Sequence, residues 1–343
     1  SGSSVIFSTI TANSLTVKGT DTAPSSWIND QSLEIAVAGS SITVNNINMT
    51  NNEDLKAYDF IIGSSSTVTN NALLDFSNCI YISTNATVNT NASDIKASSA
   101  VVNNGTLEFT GGANVNNISG TGITSIVSGA FTNNADITQS TITVSSLGTL
   151  TTSADDLLVT DKINNNGTLE FTGGTNNNNI SGTGITSIVS GATVINADGF
   201  LIDQGTINIG ASGTLTTSAD DVLVTNKINN NGTLEFTGGT NSNVIDSTAG
   251  KITITTTTGT DFVNNGSITV GFDNFDNLAD TLANNGSIYF IGTDEEITKN
   301  ISYSGSLRTG TFGISSGTFT NNAFISQSTI TVSSIGTFNT SLD

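Results

Sequence analysis

The sequence predicts an all-β protein, a parallel β-helix (β-solenoid) with coils of about 19–24 residues. Three observations carry that expectation. Near-identical segments return at fixed distances, apolar and polar residues alternate over short stretches, and glycine or Asn-Gly punctuates those stretches.

The repeats come first. Asn103-Asn104-Gly105-Thr106-Leu107-Glu108-Phe109-Thr110-Gly111-Gly112 returns at Asn165–Gly174 and at Asn230–Gly239, with Gly105, Gly167 and Gly232 lying 62 and 65 residues apart. Ile118–Ala130 returns unchanged at Ile180–Ala192, and Gly148–Thr160 returns at Gly213–Thr225 with one change. Phe131–Leu150 reappears in diverged form at Phe319–Phe338. A shorter beat runs inside the long one: Gly129, Gly148 and Gly167 are 19 residues apart. The long unit therefore reads as three coils, and the whole chain as some 16–18 of them. Asn91-Ala92-Ser93-Asp94 takes the place of Ser153-Ala154-Asp155-Asp156 in a more divergent copy. Residues 1–65 read as divergent N-terminal coils, continuous with a repetitive solenoid over 66–343.

Within a coil the strands alternate. Leu107 and Phe109 share one face of Thr106–Phe109 and leave Glu108 outside, as Ile142 and Val144 do in Thr141–Val144. Abundant Ile, Val and Thr favour strands, and Pro24 is the only proline, so long ladders are unobstructed. Gly and Asn-Gly are expected to supply the positive-φ positions of the corners. One coil cannot bury its apolar face alone; stacking makes the core continuous.

Composition narrows function. The chain carries 28 acidic and 8 basic residues, a net charge of −20. So few cations neutralise few phosphates, and no nucleic-acid partner is expected. No apolar run approaches the ~18 residues of a membrane span, so no direct membrane insertion by this chain is expected. Ser1–Ile10 has neither the basic segment nor the apolar core of a signal peptide, and the chain reads as a mature protein or an excised segment. The copy alignment places Asp343 partway round a coil. A last coil left open there would be continued by further chain or completed by another subunit's first strands, Ser4–Val17.

No catalytic, cofactor-binding or metal-ligating residue is assigned. The chain has no histidine, which removes Ser-His-Asp and Cys-His chemistry, and its single cysteine, Cys79, leaves a conventional zinc site without ligands. Cys79 is expected to be a small packing residue in or beside a strand. Asp155-Asp156 and Asp220-Asp221 are one repeat position copied, unlike a single active site, and Asp294-Glu295-Glu296 reads as an exposed acidic turn. Asp and Asn oxygens beside turn carbonyls suit a structural calcium ion, but the Gly-Gly-x-Gly-x-Asp nonapeptide is absent; folding is expected not to depend on metal. The pairs Asn70-Asn71, Asn103-Asn104, Asn133-Asn134, Asn264-Asn265, Asn284-Asn285 and Asn321-Asn322 are expected to include ladders of stacked amides.

The Asn-Asn-Gly-Thr-Leu-Glu-Phe-Thr-Gly-Gly repeats, interleaved with Ser/Thr/Val-rich coils, resemble passenger domains of bacterial autotransporters, most of all the rickettsial-type surface cell antigens. The resemblance covers most of residues 66–343. It implies an exported, right-handed parallel β-helix at the bacterial cell surface, outside the cell, that forms a coat, stalk or self-associating layer. Its partners would be copies of itself or a host or neighbouring cell surface. The expectation is a structural or adhesive protein rather than an enzyme. A polysaccharide-acting β-helix is the alternative, and an ice-binding array of Thr-x-Thr strings such as Thr253-Ile254-Thr255 ranks below it.

Overall fold

The computed structural model describes residues 13–19, 24–35, 37–255 and 262–271, and the strand segments 275–277, 282–291, 295–297, 301–302, 311–314, 317–321, 329–332 and 336–340. It is nearly all-β, with 63% strand and 3% helix, so the expected class holds. The chain divides into two compact units, Ser1–Leu169 and Glu170–Asp343. Each is a parallel β-solenoid, and among the described residues the two contain about 13 turns, fewer than the 16–18 coils expected.

In the first unit a coil contributes three strands, and each stacks on its counterpart in the next coil. One stack runs through Ser14–Lys18, Ser41–Asn45, Asp59–Ile62, Cys79–Ile82, Ala100–Asn103 and Ile118–Ser119. The second runs through Ser25–Asn29, Ile47–Asn51, Thr67–Asn70, Thr87–Thr90, Thr106–Phe109 and Ile123–Ile126. The third is shorter: Leu33–Glu34, Leu55–Ala57, Leu74–Phe76 and Ile95–Ala97.

Period-two alternation sets the inside. Leu107 and Phe109 are buried while Glu108 between them is half-exposed. In-register stacking then places like on like, Val68 on Val88 on Leu107, and the core becomes a column of apolar layers. Aromatic layers recur, with Phe60 and Phe76 stacked at 5.1 Å and Phe109 tilted on Phe131 at 4.7 Å. Such pairs contribute about 0.5–1.5 kcal/mol beyond the area they bury.

The second unit repeats the plan. Thr193–Asn196, Thr214–Thr217, Thr233–Phe236 and Lys251–Ile254 form one stack, and Val244–Ser247, Ser267–Gly271, Ser287–Ile291, Thr311–Ile314 and Thr329–Val332 another. Phe236 and Phe262 lie 5.2 Å apart in its core.

Two long strands, Ile137–Val144 and Ile202–Ile209, pair with partners one residue longer, Leu157–Asn165 and Val222–Asn230. The surplus is absorbed as a register shift between Gln139 and Thr141 and again between Gln204 and Thr206. The strand bends there, turning one coil face into the next.

The corner glycines divide into two kinds. Gly111, Gly112, Gly173, Gly174, Gly238 and Gly239 have positive φ, which only glycine adopts freely. The Asn-Gly glycines were expected to do the same, and they do not. At Gly105 and Gly232 the requirement is closeness: an added Cβ would overlap a carbonyl oxygen of the preceding coil, Ala86 or Gly213.

Glu295 and Glu296 lie in a strand, Glu295–Ile297, rather than in the acidic turn expected. Parallel pairing of Glu295 with Phe319 and Ile297 with Asn321 extends the backbone there. Asp294 and residues 4–12 and 341–343 lie outside the described residues.

Candidate functional site

The side chains that recur in coil after coil form three systems: buried amide rows, a clamp that fastens coils together, and an outer surface of polar and charged rows.

The amide rows are built from strand ends. Asn70 keeps the inward phase of Val68, and Asn133 that of Phe131, so alternation drives an amide into the core. A buried amide must satisfy both its donors and its acceptor, and the same residue one coil away does this. Asn29 Nδ2 donates to Asn51 Oδ1 at 2.7 Å, Asn51 to Asn70 at 2.7 Å, and Asn70 to Thr90 Oγ1 at 3.0 Å. Asn114 donates to Asn133 at 2.8 Å, and Asn133 to Thr152 at 3.2 Å. In the second unit Asn176 donates to Asn196 and Asn196 to Thr217, while Asn241, Asn264 and Asn284 form a fourth row at 2.8 Å per step. These bonds span 19 to 23 residues, within the expected coil length.

Of the predicted pairs, Asn70, Asn133, Asn264 and Asn284 belong to these rows. Asn103 does not. It is buried, but it donates to Gln139 Oε1 at 2.7 Å and to the Ile123 carbonyl at 2.9 Å. The second members face outward: Asn71 donates to Asn52 and Asn285 to Asn265. The side chain of Asn321 lies outside the described residues.

The clamp was missed by sequence reasoning. Each Gly-Gly is followed by an Asn-x-Asn: Asn114-Val115-Asn116, Asn176-Asn177-Asn178 and Asn241-Ser242-Asn243. The first Asn starts an amide row. The second reaches back one coil and pairs with main chain as a peptide group would. Asn116 Nδ2 donates to the Ile95 carbonyl at 3.0 Å while its Oδ1 accepts the Ala97 N–H at 2.9 Å. Asn243 does the same with the Val222 carbonyl and the Val224 N–H. A second missed group is Gln139 and Gln204 at the register shifts, where their amides accept from Thr124 and Thr186 and donate to local carbonyls.

The copied acidic pairs occupy three-residue 3-10 turns, Ala154–Asp156 and Ala219–Asp221, with Ala92–Asp94 the divergent counterpart. Buried Ala92, Ala154 and Ala219 pin the turns to the core. Asp220 accepts the Thr240 N–H at 3.0 Å and Asp221 the Gly199 N–H at 3.1 Å. Partial burial, then the charges of Asp136 and Asp155, push the Asp156 carboxyl above the usual aspartate range. Asp221 is raised in the same sense, by burial first and by Asp198 and Asp220, with the Gly199 hydrogen bond opposing. Among the described residues no three acidic or thiol side chains converge as a metal centre.

On the outside, Thr67, Thr87 and Thr106 stack in register, as do Thr69, Asn89, Glu108 and Ser125 beside them. The third stack of the first unit carries Glu34, Lys56, Asp75 and Lys96 in successive coils, a row of alternating charge. Lys56 pairs with Glu34 at 3.2 Å and Lys96 with Asp75 at 3.1 Å.

Cys79 lies in Cys79–Ile82, as expected of a residue in or beside a strand, and it is buried. It packs on the outer side rather than in the core, because Ile80 and Ile82 take the inward positions. The neighbouring Cys79 side chain, more than burial or the charge of Asp59, pushes the Tyr81 phenol above its usual range.

These features define a class, a parallel β-solenoid with amide-laddered coils and polar outer rows. No protein-family model, curated protein or solved structure matches the chain.

Proposed function

We propose that the chain is a structural and adhesive element of a bacterial cell surface, the exported passenger of an autotransporter, that presents repeated polar rows to copies of itself or to another cell. The observation that carries this reading is the stacking of Thr67, Thr87 and Thr106 and of Thr214 and Thr233 in register on the outer face. A surface that repeats with every coil suits many weak contacts made at once, whose combined strength exceeds that of any one. The interior supports the same role, since amide rows and aromatic layers hold the coils in one register. Of the copied acidic pairs, Asp220 and Asp221 accept the Thr240 and Gly199 N–H groups of neighbouring coils, which gives them a structural part.

Beads coated with the purified protein test the proposal. Bead–bead aggregation or attachment to cultured cells is expected, and no new reducing ends should appear when the protein is incubated with neutral or acidic polysaccharides. Shortening of a polysaccharide would move the protein to the enzymatic alternative. Beads that neither aggregate nor attach would remove the adhesive role.

A further inference from the structure

The sequence contains five Asn-Gly steps, at Asn104-Gly105, Asn166-Gly167, Asn231-Gly232, Asn265-Gly266 and Asn285-Gly286. This dipeptide is the one most prone to self-modification, because a glycine N–H meets little steric hindrance in attacking the preceding side chain. The glycine nitrogen gives up its proton and bonds to the Asn Cγ, and ammonia leaves from the same carbon. The five-membered succinimide is then opened by one water at either carbonyl, giving Asp or isoaspartate. The net change is one water consumed and one ammonia released, with no oxidant or reductant.

We propose that these five asparagines are latent modification sites that coil stacking keeps closed, so that deamidation occurs only when a coil opens. The attacking nitrogen is engaged at every one. Gly105 N–H donates to Asn103 Oδ1 at 3.1 Å and Gly232 N–H to Asn230 Oδ1 at 3.1 Å. Gly167 N–H donates to the Val144 carbonyl at 3.1 Å and to Asn165 Oδ1 at 3.2 Å. Gly266 and Gly286 donate to the Asn241 and Asn264 carbonyls at 3.0 and 2.8 Å. Target side chains are held as well: Asn104 Oδ1 accepts from the Thr121 N–H and hydroxyl, and Asn285 Nδ2 donates to Asn265 Oδ1.

Crowding adds to the block. A Cβ on any of the five glycines would overlap a backbone carbonyl of the coil below, so this backbone has no room to swing toward the side chain. The same crowding makes the reaction destructive once it happens, since isoaspartate adds a methylene to the main chain at the tightest point of the stack.

Placement shows the same logic. None of the buried row asparagines, Asn51, Asn70, Asn114, Asn133, Asn176, Asn196, Asn241, Asn264 or Asn284, is followed by glycine. The reactive step sits outside the rows, and at Asn104, Asn166, Asn231 and Asn265 a new carboxylate would be exposed.

The test compares native and urea-unfolded protein in mildly alkaline buffer at 37 °C, with conversion at each site read by peptide mass. Native rates at all five sites are expected to be at least about tenfold below the unfolded rates, as for exchange gated by local opening. A variant, Asn103→Ala, removes the Gly105 acceptor. It should accelerate conversion of Asn104 in the native protein and leave Asn166 in the same molecule unchanged. Equal native and unfolded rates at any site, or no change at Asn104 in the variant, would overturn the proposal.

Discussion

Asn264 donates its side-chain amide to Asn284 one coil further on, while its own Oδ1 accepts from Asn241 one coil before. Its neighbour Asn265 faces outward and accepts only from Asn285 among the bonds described. Replacing Asn264 with Ala should therefore cost about 1–3 kcal/mol, because Asn241 loses its acceptor in a buried place. Asn265→Ala should stay within about 0.5 kcal/mol of the parent. Thermal melts of the two variants side by side check the contrast.

Lys56 separates Glu34 from Asp75 in the alternating row, with the Lys56 and Glu34 side chains about half exposed. Lys56→Glu would set three like charges in line. The expected loss is about 0.5–1 kcal/mol, and it should shrink as salt is raised, since exposed pairs are well screened. A melting difference that ignores salt would show packing, not charge, at this position.

Asp156 sets a pH dependence. Its folded pKa lies above its unfolded value, so the fold disfavours the ionised form. That penalty is complete once pH exceeds the raised value and vanishes as pH falls into the ordinary aspartate range, so this group adds stability on mild acidification. Asp246 works in the opposite sense. Burial would raise it, but hydrogen bonds from Lys227 and Thr248 outweigh burial and lower it, so its contribution is present at neutral pH and lost in stronger acid. Asp156→Asn should raise the neutral-pH Tm slightly, solvent screening keeping the gain small, and flatten its rise on mild acidification. An unchanged slope would show that another group sets it.

Cys79 is buried and shares the outward phase of its strand with Tyr81, so a thiol reagent should label the native protein slowly. Tyr81→Ala should expose the sulfur and raise the labelling rate about tenfold or more, with the melt nearly unchanged because Tyr81 lies on the outer face. Fast labelling of the parent would contradict the burial.

The fold was legible because each inward residue declares itself by alternation, as Leu107 and Phe109 do around Glu108. The same rule identifies which member of Asn70-Asn71 enters the core. The bend at Gln139 was also written in the chain. Ile137 and Gln139 share one phase and Ile142 and Val144 the other, so the alternation slips between them. The clamp at Asn116 and Asn243 was hidden for a chemical reason: asparagine is equally common in turns, and only the stacked coil shows that its amide replaces a peptide group. Gly105 was misread because positive φ and close approach both demand glycine, and the sequence is the same in either case. The strand at Glu295–Ile297 escaped because adjacent acids resemble a solvated turn.

In the buried rows the amides of Asn29, Asn51, Asn70, Asn114, Asn133, Asn176, Asn196, Asn241 and Asn264 point a donor toward the later coil, and three of the rows end on a threonine. Thr90, Thr152 and Thr217 accept the last amide and turn their own hydroxyls onto a carbonyl of the same coil, that of Asn91, Ser153 or Ser218. Each of these three rows is thus a cassette closed at its later end by a hydroxyl. Recombination between the identical stretches Ile118–Ala130 and Ile180–Ala192 would delete or duplicate one cassette and join Asn114 to the counterpart of Asn133 without an orphaned amide. Copy number becomes a dial for length, one that a lineage of cells can turn in whole steps without redesigning the interior.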